Sequence, residues 1–292
     1  MPRVQAKRIL RVCKEKAASI HKRFGGGPGE QGRFLTFVDN NADVLGVAHT
    51  DTVADRVSAP RSLLGRPIAR YSRDSDTVCS IQLDDRLGVY FLTELLPSMG
   101  VTLDWLLTDC EEVGFSTARY FVPAKPYNWV VGFDRRGLDV VMYQYHSNKW
   151  KARLQEVGMK LTTGSYSDIR ELGHLGVVGF NWGIGYRDEH TPRCRVHLPD
   201  VQYSAWAFSS FYEEWKDTPL HWTSDDECDQ RWFSSPYGDL YREAEDDEYS
   251  WADMVAGAHE GGYNLSDAYT CIGDEIYGII EAEILAKEDE EG

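Results

Sequence analysis

The stretch VLGVAHTDTV, Val44 to Val53, opens on five apolar or small residues and stops at His49, Thr50 and Asp51. A continuous apolar run of this length predicts a strand covered on both faces, the kind that builds parallel sheets. Along a strand, residues i and i+2 project to one side. His49 and Asp51 therefore leave the carboxyl end together, and that is the end at which open α/β sheets bind ligands. A neutral imidazole beside a carboxylate suits a divalent metal ion. The same pair also reads as a polar strand end, with His49 hydrogen-bonded to Asp51, so the rest of the chain has to decide.

Outward from this strand, from Arg33 to Trp215, apolar segments alternate with helical patterns. Strands are expected at Phe34–Val38, Val44–His49, Thr102–Thr108, Trp129–Phe133, Val140–Tyr143 and Val177–Asn181. Helices are expected at Arg86–Leu96, Phe115–Phe121, Trp150–Val157, Ile169–Leu172 and Val201–Trp215. The alternation predicts an α/β fold, a three-layer sandwich with a mostly parallel central sheet flanked by helices. FGGGPGEQG is glycine-rich but neither follows a strand with dinucleotide spacing nor carries the Lys-Ser/Thr of a phosphate loop. It reads as a turn.

Composition limits the rest. The chain has 292 residues, enough for a sizeable core, and no run approaches the ~20 apolar residues of a membrane span. The basic N-terminus lacks a signal-peptide core and predicts an amphipathic helix over residues 1–24, with Val4, Ile9 or Leu10, Val12 and Ala17 inward. Six scattered cysteines without a CxxC pair fit a reducing, cytoplasmic setting. From Asp225 onward there are 21 acidic and 3 basic residues, whereas the preceding chain is close to neutral. This predicts a catalytic domain over 1–220 and an acidic extension over 221–292. Trp232, Phe233, Tyr237, Tyr241, Tyr249, Trp251, Tyr263, Tyr269 and Tyr277 are too many aromatics for a purely solvating tail. DEIYGIIEAEILAKEDEEG predicts a last helix within it. The extension is read as docking on the body, on a second copy or on a protein partner. A net charge of −16 argues against nucleic acid.

Most of the other apolar strands also end in acid or imidazole. LDDRLGVYFLTELL places Asp84 and Asp85 before a helix, where capping is the plain alternative. LDWLLTDCEEVG ends in Glu111 and Glu112, and two adjacent carboxylates diverge onto different faces, so one is free to bind metal while the other moves protons. WVVGFDRRG ends in Asp134, and GIGYRDEHTPRC delivers His190. A pair of divalent ions about 3.5–4 Å apart needs a bridging carboxylate and about two more protein ligands per ion. His49, Asp84, Glu112, Asp134 and His190 supply that set for two zinc ions, or for cobalt or manganese in their place. Glu111 is left as general base, and Asp51 as the carboxylate that orients His49 through its other nitrogen. Arg187, Arg193 and Arg135 lie near these positions and would suit a substrate carboxylate, or equally surface ion pairs. Tyr166 and Asp168 in GSYSDI would line the cleft, or form a turn and helix cap.

The order His-x-Asp, Asp-Asp, Glu-Glu, Asp, His resembles the co-catalytic di-zinc aminopeptidase and carboxypeptidase superfamily. AHTDTV, LDDRLGVYFLTELL, TDCEEVGFSTA and the segment from Gly164 to Arg193 are similar to its metal motifs, over roughly Val44 to His197. The resemblance implies that Asp84 bridges, that Glu111 is the base and that Glu112 is the ligand. It implies a metal-dependent exopeptidase of the aminopeptidase type, acting on peptides. The nearest alternatives are a carboxypeptidase or an amidohydrolase of N-acyl amino acids, and outside enzymes a binding module acting through the acidic tail. Only 56 positions separate Asp134 from His190, and 35 separate His49 from Asp84. That leaves no room for an inserted lid or dimerisation domain. Cys194 stands near where some relatives carry an acid after the last histidine, so fine specificity does not transfer.

Overall fold

The computed structural model describes residues 3–29, 32–52 and 69–223, all within one compact unit that runs to Asp226. Of the extension expected over 221–292, residues 221–223 are described, with His221 bridged to Val177 and Trp222 against Tyr145; the rest, with its expected last helix, lies outside the described residues.

The segment Val44–His49 forms β2, with all six residues buried. Its neighbours follow from the register. β1 (Thr36–Val38) forms the edge of a seven-stranded sheet ordered β1-β5-β2-β6-β9-β7-β8. In it, β5 is Asp104–Thr108, β6 is Trp129–Arg135, β7 is Asp139–Val141, β8 is Lys160–Thr162 and β9 is Gly179–Gly183. Strands β5, β2, β6 and β9 run parallel, with His49 beside Thr108 and Val47 beside Gly132. The antiparallel pairings lie at β1–β5 and β7–β9. This is the mostly parallel α/β sheet expected.

Alternation along β6 assigns its two faces. Trp129, Val131 and Phe133 point to one side, Gly132 and Asp134 to the other. The first side is covered by α3 (Leu83–Tyr90), which continues through a π-helical turn, Phe91–Leu95, into α4 (Leu96–Ser98). It is also covered by α5 (Asn148–Glu156) and α6 (Leu198–Trp215). Trp129 packs edge-on to Phe180, Phe208 and Phe211, with ring centroids 5.6–6.2 Å apart, and Phe133 meets Phe91 and Phe208. The second side is covered by short 3₁₀ segments, Thr117–Tyr120 and Asp168–Leu175, with Ile169 against Gly132. Both were expected as helices. Pro123 follows the first closely, and Gly173 and Gly176 punctuate the second, so neither extends into α-helix.

Gly88 shows how tightly α3 seats on the sheet. A Cβ there would lie 2.0 Å from the carbonyl oxygen of Phe133. Gly88→Ala should therefore destabilise the fold by about 1–3 kcal/mol, the cost of overpacking against backbone that cannot yield. Chemical denaturation measures it, and an unchanged midpoint would contradict this packing.

The N-terminal helix expected over 1–24 is two helices, α1 (Ala6–Val12) and α2 (Ala17–Arg23). The break has tertiary causes. The extended Lys16 starts α2, Arg86 Nε donates to the Glu15 carbonyl, and Arg23 pairs with the Glu15 carboxylate. Val4, Ile9, Val12 and Ile20 are buried, whereas Ala17 is half-buried.

A second sheet was not foreseen. β3 (Arg70–Ser72), β4 (Thr77–Cys79), β10 (Tyr186–Arg187) and β11 (Arg195–His197) pair antiparallel in the order β10-β11-β4-β3. At two or three residues each they are too short to show an alternating pattern. Among the described residues, no helix is long and apolar enough to cross a membrane.

Candidate active site

The carboxyl ends of β2, β5 and β6 lie side by side, so each brings its terminal polar residues to one place. His49 closes β2, its side chain buried, with Nε2 2.9 Å from Asp134 Oδ1 at the end of β6. Its Nδ1 lies 3.4 Å from Asp51 Oδ1. Beyond β5 the chain turns sharply. Cys110 takes φ 65°, Glu111–Val113 make a single 3₁₀ turn, and Gly114 takes φ 67°. A left-handed residue other than glycine is uncommon, and such strain gathers at functional sites. Asp51 secures the turn, since its Oδ1 accepts from the Glu111 amide at 3.1 Å and its Oδ2 from the Glu112 amide at 3.0 Å.

The small sheet completes the group. β4 leads into α3, which carries Asp84 in its first turn, and β11 pairs with β4. The β10–β11 loop thereby returns His190 to Asp84. His190 Nε2 lies 3.0 Å from Asp84 Oδ2 and 3.1 Å from Glu112 Oε2. Asp188 and His190 both take left-handed φ values, 57° and 56°.

The result is two groups of donor atoms with one shared member. His49, Asp84 and Asp134 form one, and Asp84, Glu112 and His190 the other. Within each group the ligand atoms lie within 4.8 Å of one another, and His49, Glu111 and Glu112 meet the same limit. The donor set fits divalent cations. Glu112 Oε1 is buried without a hydrogen-bond partner, a costly state for a carboxylate oxygen unless a cation takes it. Nitrogen and oxygen donors in this mix suit zinc and its neighbours.

Electrostatics separates the roles. Burial, then the nearby carboxylates of Asp134 and Glu112, hold Glu111 well above the usual carboxylate range. A carboxylate tuned toward neutrality is suited to taking and returning a proton. Burial would depress His190, but hydrogen bonds and charge from Asp84 and Glu112 prevail and push it up to about 12. In Asp51, burial is outweighed by His49 and the two amides, and its carboxyl lies below its usual value.

Other sequence-predicted residues are engaged elsewhere. Arg135 forks onto Asp139 at 2.8 and 3.2 Å. Arg187 is exposed and lies 3.6 Å from Asp200. Both border a cavity of about 320 Å³ that Tyr186 also lines. The Tyr166 phenol accepts from the Ser116 amide at 2.9 Å and donates to Glu171 at 2.8 Å, which braces the loop after Glu111. Glu171 also takes a fork from Arg119.

Asp168 lies buried behind this loop and accepts from Thr108 Oγ1 at 2.8 Å and from Ser116 Oγ. Burial, aided by Asp134, pushes its carboxyl up to about 7. The folded state thus holds the proton more tightly than the unfolded chain, whose value is near 3.9. Between about pH 4 and 7 the unfolded state binds fewer protons, so this group's contribution to stability falls as pH rises. In chelator, the unfolding free energy of the parent relative to Asp168→Asn should decline across that window. A difference independent of pH would contradict the buried, proton-holding carboxyl.

Tyr186 was not singled out in the sequence. It is buried at the start of β10, and its hydroxyl lies 2.5 Å from Asp84 Oδ1 and also reaches the Asp134 carbonyl oxygen. Burial and the charges of Asp84 and Asp134 hold its phenol well above the ordinary range, so it is a donor. Its local sequence, GYRDEH, drew attention to Arg187 instead, and no periodic signal marks a two-residue strand.

No protein-family model matches the chain, and no curated protein matches it in sequence. Solved structures do. Aminopeptidase PepT from Bacillus cereus superposes with a TM-score of 0.50 at 10% identity, over 72% of this chain and 99% of that one. PhTET1-12s, a dodecamer, gives 0.51 at 12% identity, over 71% and 98%. An aminopeptidase from the archaeon Desulfurococcus kamchatkensis gives 0.50 at 12%, over 73% and 95%. The chain shares the α/β fold of these three structures.

Proposed function

We propose that this protein is a metal-dependent hydrolase of the exopeptidase type, an aminopeptidase, with two divalent ions, zinc or in its place cobalt or manganese. One observation carries the reading: two donor groups sharing Asp84 sit at the carboxyl edge of the parallel sheet, with Glu111 beside them. His49, Asp84 and Asp134 would hold one ion, and Asp84, Glu112 and His190 the other. Such ions, when bound, lower the pKa of water and polarise a carbonyl.

The protein's own groups then do the rest. Glu111 takes the proton of the attacking water and passes it to the leaving amine. Asp51 lies 3.4 Å from His49 Nδ1, on the side away from Asp134, and through two amides it holds the turn that aims Glu111 and Glu112. The engagement of Arg135 with Asp139 leaves that guanidinium poorly placed to clamp a substrate carboxylate, which favours substrates recognised at a free amine. PhTET1-12s is a dodecamer, and self-assembly is proposed here too, or a partner held by the 221–292 extension; light scattering of the full chain tests it. The scattered cysteines without a CxxC pair favour a reducing, cytoplasmic setting.

The decisive experiment is metal content per chain by mass spectrometry after equilibration with zinc, followed by hydrolysis of free-amine peptides against N-acyl amino acids. Two tightly held ions and turnover of free-amine peptides are expected. Turnover confined to N-acyl substrates would make the protein a deacylase. No bound metal would end the hydrolase reading.

A further inference from the structure

We propose that Tyr186 is a positioning residue for the shared carboxylate, its phenol fixing the rotation of Asp84 so that each oxygen faces a different ion. This rests on the two-ion reading above. A bridging carboxylate must present one oxygen to each side, and nothing in a carboxylate itself prevents rotation about its Cβ–Cγ bond. In this protein one side is set by His190 Nε2, 3.0 Å from Oδ2. The other is set by the Tyr186 hydroxyl, 2.5 Å from Oδ1. A carboxylate oxygen has two lone-pair sites, so Oδ1 accepts the phenol hydrogen and keeps a site for a cation.

The hydroxyl also reaches the carbonyl oxygen of Asp134. Tyr186 therefore sits between the two elements that bring the ligands of the His49 ion together, α3 with Asp84 and β6 with Asp134. Its own place is well determined. The ring is buried, and its backbone pairs with Val196 of β11, which in turn pairs with Val78 of β4, the strand that leads to Asp84. The loop that delivers His190 is thus anchored at one end by the residue that orients Asp84.

Zinc affinity read by competition with a chromophoric chelator tests this without recourse to activity. Tyr186→Phe keeps the ring in its hole and removes only the hydroxyl that reaches Asp84 and the Asp134 carbonyl. It should unfold like the parent in chelator, bind zinc about 10–100-fold more weakly, as removal of an outer partner of a ligand does, and shift the visible absorption of the cobalt form. Tyr145→Phe is the reference for losing a buried phenol, because Tyr145 donates to the Ile169 carbonyl and touches no ligand. It should bind zinc as the parent does. A loss in Tyr186→Phe no larger than in Tyr145→Phe overturns the positioning role, whether or not the fold has loosened. If the parent itself takes up fewer than two ions, the two-ion reading fails first, and the role of Tyr186 falls with it.

Discussion

Glu111→Gln should bind both zinc ions with parental affinity and hydrolyse peptides about 10²–10⁴-fold more slowly, the span typical of a lost general base. Glutamine preserves the shape and accepts a hydrogen bond, but it takes no proton at neutral pH. The position is suited to the task because burial and the neighbouring carboxylates raise Glu111 toward neutrality, whereas Glu112, the next residue, turns toward His190. The 3₁₀ turn braced by Asp51 makes this divergence, so the substitution should leave the turn and the other ligands in place. Single-turnover rates alongside metal content decide the matter. Near-normal turnover would remove Glu111 from the chemistry, and loss of metal would make it a ligand.

Asp84→Ala should have the widest effect on metal. Its carboxylate belongs to both donor groups, so its loss should weaken both ions by more than the ~100-fold at the upper end for an outer partner, and turnover should vanish with them. By contrast, Asp134→Ala removes a member of one group only, and one ion should remain. Calorimetric zinc titrations of the two variants separate these outcomes. Equal loss of a single ion in both would mean that Asp84 does not bridge. The apo forms carry a further expectation: His190 and Tyr186 hold the buried Asp84 carboxylate, so removing it leaves both without that partner and apo Asp84→Ala should be less stable than the apo parent.

Much of the frame was legible locally. β2 has the bounds that its apolar run predicts, because a strand covered on both faces must be apolar throughout. β5 and β6 follow the same logic, and their polar ends, Glu111–Glu112 and Asp134, stand where the cover runs out. The N-terminal break at Lys16, by contrast, depends on Arg86 and Glu15 meeting across 71 positions, and helical periodicity is blind to that. The 3₁₀ segments on the second face were misread for a related reason. Ile169 and Leu172 have helical spacing, but the room beside Gly132 and Gly179 admits only a tight turn against the sheet.

The parallel sheet and the residue types at its carboxyl edge are readable from the amino acids alone, since burial and strand alternation act over a few neighbours and leave a pattern. The folded chain alone brings His190 to Asp84 and Glu112, the Tyr186 hydroxyl to Asp84, and the Asp51 carboxylate to the Glu111 amide. Those contacts join residues 60 to 106 positions apart, through strands of two or three residues and left-handed backbone at Cys110, Asp188 and His190. Such pieces have no periodicity of their own. They hold their shape only because the packed sheet and helices around them offset the strain.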